Sequence, residues 1–227
     1  MRLRRLVYSF TTVILSTSSL FILATPAAHA ANVSWDGGGG DSNFSTAANW
    51  SADTLPVDGD VLVFDSAAFA TDTTLHNDLV GFTTGGITTT GAYNNHRVKI
   101  DGNAINFNGA ITTSSFSITI LADITLSGDL ALNGGTILLG EYGNTSTLDL
   151  NGHNLIVNND ALVESTVSGN GNITVNSNSG ITLSGNNTFS GTITVDGSAM
   201  GASVKACSVS AHGNAANIVS VNGANAS

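Results

Sequence analysis

Ile181-Thr182-Leu183-Ser184-Gly185-Asn186-Asn187-Thr188-Phe189-Ser190-Gly191-Thr192-Ile193-Thr194-Val195-Asp196-Gly197 holds the pattern that decides the fold. It opens with Ile-Thr-Leu-Ser-Gly and closes with Ile-Thr-Val-Asp-Gly. In an extended chain, side chains alternate between faces, so Ile181 and Leu183 share one face while Thr182 takes the other. A Ser-Gly or Asp-Gly step then ends the strand, because glycine accepts the left-handed backbone that a tight turn requires. Strand, turn, strand, turn is the reading of this stretch.

The same unit, apolar-x-apolar followed by Asn, Asp or Ser and then Gly, recurs outward from it. Copies begin at Val98, Ile105, Ile124, Leu130, Leu148 and Val219. No sustained apolar period of 3.6 residues occurs beyond the N-terminal segment, and β-branched residues dominate, so helix is excluded there. Short strands with frequent turns build sandwiches, barrels or solenoids. Spacing selects among them. Gly109 to Gly128 is 19 residues, Gly134 to Gly152 is 18, and Gly128 to Gly152 is 24. These values fit one coil of a parallel β-helix, and a single short unit repeated this often is foreign to sandwiches. Stacked coils would align Ile, Leu and Val inside and Asn or Thr in external ladders.

The ends differ from this middle. Arg2, Arg4 and Arg5 precede an apolar stretch from Leu6 to Ala24, Pro26 breaks it, and Ala28-His29-Ala30 supplies small residues for cleavage. That is the three-part layout of a secretory signal peptide over 1–30. Residues 31–96 hold Trp35, Trp50, Pro56 and the Gly37–Gly40 run, and read as an irregular N-terminal cap for solenoid repeats over 97–227. The repeats stop shortly after the Val219 copy with no second cap, as expected of a chain truncated at its C-terminus. An exposed solenoid end is an aggregation-prone edge that natural chains cover.

Positions Leu183, Gly185, Asn187, Thr188, Phe189, Ser190, Gly191, Val195 and Gly197 resemble the autotransporter-associated β-strand repeat, with a closing turn one residue shorter than in that pattern. One copy is complete; the other units match through their strand-and-glycine core. Trp35-Asp36-Gly37-Gly38-Gly39, Asp41, Ser45, Asn49-Trp50, Pro56, Gly59-Asp60 and Phe64 resemble the opening segment of large exported bacterial proteins that carry the repeat. Together these touch about half of the chain beyond residue 30. The resemblance implies a right-handed parallel β-helix passenger, displayed on or released from a Gram-negative-type cell surface. It implies no activity, because the repeat is a scaffold. It also implies a translocator barrel or outer-membrane anchor, and nothing after Gly197 supplies the strands of about 9–11 alternating residues that a barrel requires.

Composition narrows the partners. Without residues 1–30 the chain keeps three basic residues (Arg97, Lys99, Lys205) against all sixteen acids, a net charge of −13. Phosphate backbones are bound by Lys and Arg, so nucleic acid is excluded, and anionic membrane surfaces with it. Surface glycans and host or neighbouring-cell surfaces remain as partners. Cys207 is alone beyond the signal segment as within it, so no intrachain disulfide forms.

Candidate chemistry is sparse. Asp58-Gly59-Asp60, joined by Asp36 and Asp41, offers oxygen ligands of the kind Ca²⁺ takes, against the simpler reading of acidic turns. Gly37–Gly40 lacks the Gly-Lys-Ser/Thr ending of a phosphate loop. His76, His96 and His153 show no metal-ligand spacing, and common hydrolase motifs are missing. The sequence therefore assigns no catalytic, cofactor or metal residue. The enzyme alternative is a pectate-lyase-like β-helix acting on an acidic polysaccharide. It would draw on Arg97, Lys99, Asp101, Asp123, Asp129, Glu141, Asp149, Asp160 and Glu164. Thr88-Thr89-Thr90 and the Thr-rich strands raise an ice- or crystal-binding face as a third class, ranked below the enzyme because the threonines are irregular. The expectation is a secreted or surface-exposed, non-catalytic adhesive or structural scaffold.

Overall fold

The computed structural model describes residues 30–92, 95–114, 116–198, 201–208 and 210–222. The signal-peptide reading therefore falls almost entirely outside the described residues, as does Gly223 of the last repeat unit. Among the described residues no helix is long and apolar enough to cross a membrane.

The chain forms an all-β solenoid of about seven turns, and every pairing between its named strands is parallel. Each full coil visits three faces. The first face stacks Asn32–Trp35, Val61–Asp65, Thr83–Thr90, the end of Ile105–Thr113, Leu130–Gly134, Leu155–Val157, Ile173–Val175, Thr192–Asp196 and Ile218–Asn222. The second is a seven-stranded sheet from Thr73–Asn77 through Arg97–Gly102, Ser117–Ile120, Ile137–Leu139, Ala161–Val163 and Gly180–Leu183 to Ser203–Ala206. The third starts on the first half of Ile105–Thr113 and continues through Ile124–Leu126, Thr147–Asp149 and Thr166–Ser168. Coil length varies. Asn154 stands 25 residues beyond the Asp129 it bonds, Asn172 18 beyond Asn154, and Thr192 20 beyond Asn172.

Alternation decides what is buried. On the first face Leu62, Ile87, Ile111, Leu132, Val157, Val175 and Val195 form one inward row, all buried and held in register by the ladders. Leu75, Ile100, Ile120, Leu139, Val163 and Leu183 form its counterpart on the second face. The repeat unit read from the sequence serves all three faces: Leu130/Leu132 on the first, Ile181/Leu183 on the second, Ile124/Leu126 on the third.

Two of the three glycine spacings are true coil lengths. Gly109, Gly128 and Gly152 each follow a third-face strand in register and stack on one corner. Gly134 to Gly152 is not a coil, because Gly134 ends a first-face strand. The corner column runs Gly59, Gly85, Gly109, Gly128, Gly152, Gly171 and Gly191. A Cβ on Gly109 would lie 1.9 Å from the Gly85 carbonyl oxygen, and one on Gly191 2.0 Å from that of Gly171. At Gly85, Gly109, Gly171 and Gly191 the backbone of the adjacent coil approaches so closely that only glycine fits, whereas a Cβ at Gly59 or Gly152 would meet nothing within 4 Å.

Residues 31–96 combine coil and cover. The parallel ladders begin at Asn32, and Phe44 N–H and His76 N–H bond the second-face segment Ser42–Phe44 to the strand Thr73–Asn77. Over the first edge, Trp50 folds back antiparallel to Trp35. The rings of Trp35, Phe44, Trp50 and Phe64 pack with centroids 5.0–6.3 Å apart, and buried Trp50 Nε1 donates to the Phe44 carbonyl at 2.8 Å. At the other end, Val219 and Val221 continue the inward rows but are 46% and 51% exposed.

Candidate functional site

The outward surface is organised by side-chain ladders. At the entry to the first face, Asp129 Oδ1 accepts from the Asn154 amide and side chain, Asn154 Oδ1 from those of Asn172, and Asn172 Oδ1 from Thr192 N–H. At its exit, Asn158 Nδ2 donates to Asn133 Oδ1 at 2.7 Å, and Asn176 Nδ2 to Asn158 Oδ1. Between the ladders lie Ala131, Ile156, Thr174 and Thr194, adjacent in register. The flat Thr array needed by the crystal-binding reading is thus interrupted by Ala131 and Ile156.

The acids considered for Ca²⁺ are occupied by the backbone. Asp60 is 3% exposed; its Oδ1 accepts from Ala31 N–H and its Oδ2 from Val57 N–H, both at 2.9 Å. Asp58 Oδ1 accepts from Thr83 N–H, and Asp36 Oδ1 from Gly38 N–H. Asp41 takes Asn43 N–H, the Thr46 hydroxyl and the Asn49 side-chain amide, which together hold its carboxyl below the usual range. Asp65 is lowered in the same way by Ala67 N–H and the Thr90 hydroxyl. Asp196 is lowered by the Ser198 amide and hydroxyl and then by Ser177. Burial pushes Asp78 up, but the Ser45 hydroxyl and amide outweigh it and the net direction is down. Among the described residues no three His, Cys, Asp or Glu side chains gather as a metal centre.

The nine residues of the enzyme alternative are dispersed over the coil. Asp101 bonds His76 Nδ1 at 2.8 Å, Asp123 takes the Thr147 amide and hydroxyl, and Asp149 takes Asn151 N–H. Arg97 is exposed at the start of a second-face strand, where its N–H bonds Asp72. Only Lys99, Glu141 and Glu164 are drawn toward one place. Lys99 Nζ meets both Glu141 oxygens at 3.0 and 2.7 Å, closing a link 42 residues long in sequence. Glu141 and Glu164 then line a cavity of about 330 Å³ with Tyr142, Asn144, Ser184 and Cys207. Glu164 Oε2 is shut from solvent without a hydrogen-bond partner.

A second groove, of about 380 Å³, opens where the same strands begin, between Asp160 and Lys205, with Leu162 and Thr182 in its wall. Gly180 lies between Asp160 and Ser203 in the row and leaves the space open. Sequence reasoning named Asp160 and Glu164 but not Tyr142, Ser184 or Lys205 as their neighbours. They come from different coils, and no local spacing links them. The chain matches no family model, no curated protein and no solved structure.

Proposed function

We propose that this chain is an exported, non-catalytic scaffold of the autotransporter-passenger kind, which holds a cell surface to its surroundings through many repeated contacts. The observation that carries the reading is the pair of Asn ladders flanking the first face over consecutive coils. Such ladders fix polar groups at the spacing of stacked strands, about 4.8 Å, and present donors and acceptors in rows rather than in one pocket. Most carboxylates of the coil hold turns or neighbouring strands, which suits a framework. The negative charge keeps such a surface soluble and away from anionic polymers.

Two measurements test this. N-terminal sequencing of the mature protein is expected to begin at Ala31, and retention of Met1 in exported material would count against the signal reading. Removing the chain from its cell is expected to reduce attachment and aggregation; unchanged attachment, aggregation and surface texture would overturn the adhesive role. The acidic-polysaccharide enzyme reading keeps Lys99 and Glu141 in contact but leaves Lys99 neutralised by its partner. Turnover on any member of a broad glycan panel would restore it.

A further inference from the structure

We propose that the cavity rimmed by Tyr142 binds an uncharged, hydroxyl-rich sugar chain; this rests on the adhesive reading and adds to its first-face rows one pocket at the exit of the second face, with its ligand class. Among the described residues every Phe and Trp is buried, yet Tyr142 is 96% exposed. The ring is raised on a pinned loop. Asn144 N–H donates to the Glu141 carbonyl, Asn144 Nδ2 reaches the Leu121 carbonyl of the preceding coil, and Lys99 clamps Glu141. An aromatic face held in water at the rim of a cavity is suited to pack against the C–H face of a sugar ring.

The polar lining selects the class. Glu164 Oε2 lacks a donor, and a shielded carboxylate oxygen without one is costly. A hydroxyl or amide hydrogen entering the cavity would meet it once the side chain turns that oxygen inward. A cation is a poorer occupant, because Ca²⁺ takes about 6–8 oxygens. Both Glu141 oxygens are committed to Lys99, and Asn144 Oδ1 to Ser146 N–H. With Glu141 neutralised, the charge of Glu164 disfavours uronates and phosphates. The groove between Asp160 and Lys205 lies at the other end of the strands Ala161–Val163 and Gly180–Leu183, so an extended ligand reaches both along one face. Its mixed donors and acceptors suit hydroxyls, which act as both.

The test is calorimetric titration of the full exported chain with N-acetylglucosamine tetramer, cellotetraose, polygalacturonate and CaCl₂ alone. At least one uncharged tetramer is expected to bind. Tyr142→Ala and Glu164→Gln should each weaken it about tenfold, the scale of one ring contact or buried hydrogen bond. Thr194→Ala on the first face should leave it unchanged. Tyr142→Ala removes only an exposed ring, so its melting temperature is expected to match the parent. Failure of both tetramers to bind, binding unmoved by either variant, preference for polygalacturonate, or Glu164-dependent Ca²⁺ binding would each overturn the site. The adhesive reading is judged separately: cells that lose attachment without the chain but keep it with Tyr142→Ala would leave that reading standing and remove this one.

Discussion

Asn187 Oδ1 accepts the Val167 backbone N–H at 2.8 Å while its Nδ2 donates to the Ala211 carbonyl at 2.7 Å, so one buried side chain ties three successive coils. Truncation to Ala leaves a buried N–H and a buried C=O unpaired. Asn187→Ala is expected to cost about 2–4 kcal/mol. Asn187→Asp keeps the acceptor for Val167 but has no donor for Ala211 and buries a charge, so it should be no better at neutral pH. Urea denaturation of both variants checks this. A loss under about 0.5 kcal/mol for Asn187→Ala would mean the two backbone groups find other partners.

The glycine column predicts a contrast between two positions on one corner, Gly109 and Gly152. A methyl at Gly109 collides with the Gly85 carbonyl, whereas one at Gly152 meets nothing within 4 Å and only strains a backbone at φ +87°. Gly152→Ala should cost about 1 kcal/mol, and Gly109→Ala clearly more, because two coils must separate. Equal melting temperatures for the two would refute the close-approach argument.

Thr119 carries a hydroxyl that is buried without a partner, flanked on its row by Lys99 and Leu138. Valine has the same shape without the polar atom. Thr119→Val should hold or raise stability by up to about 1 kcal/mol. A fall of that size would show that the hydroxyl is bonded after all, and thermal melts decide it.

Acid should loosen the coil. Asp41, Asp65, Asp78 and Asp196 all lie below the ordinary value of 3.8 in the folded chain. A depressed carboxyl contributes stability that is fully present above its unfolded pKa and is lost as pH falls through the folded one. Stability with respect to these groups is therefore expected to be level above about pH 5 and to decline below about pH 4. Asp41→Asn should flatten the decline, and an unchanged slope would remove Asp41 from the account.

The fold was largely legible because alternation is a local property. Ile181/Leu183, Ile193/Val195, Ile105/Phe107 and Leu148/Leu150 are all inward and buried, as their spacing requires. Which face each pair serves was not legible, since the same five residues build a strand wherever the corner places it. Gly134 shows the cost: its distance to Gly152 looks like a coil and joins two different faces. The candidate site was less legible still. Glu164 and Asp160 were two of the nine residues of the enzyme alternative and Lys205 one of three basic residues, while Tyr142 and Ser184 carried no signal.

By itself the sequence determined that the chain is extended and that the paired Ile, Leu and Val of the repeat unit face inward; the Asn108-Gly109 step, read as a turn, lies inside the continuous strand Ile105–Thr113. Side-chain alternation and glycine's backbone freedom act within a few residues. Only the tertiary structure decided register, corner and neighbourhood: that Lys99 clamps Glu141, that Asn187 bridges Val167 and Ala211, and that Tyr142 and Glu164 line one cavity. Those pairs are 20 to 42 residues apart in sequence, and coils of unequal length erase any fixed period by which they could be read.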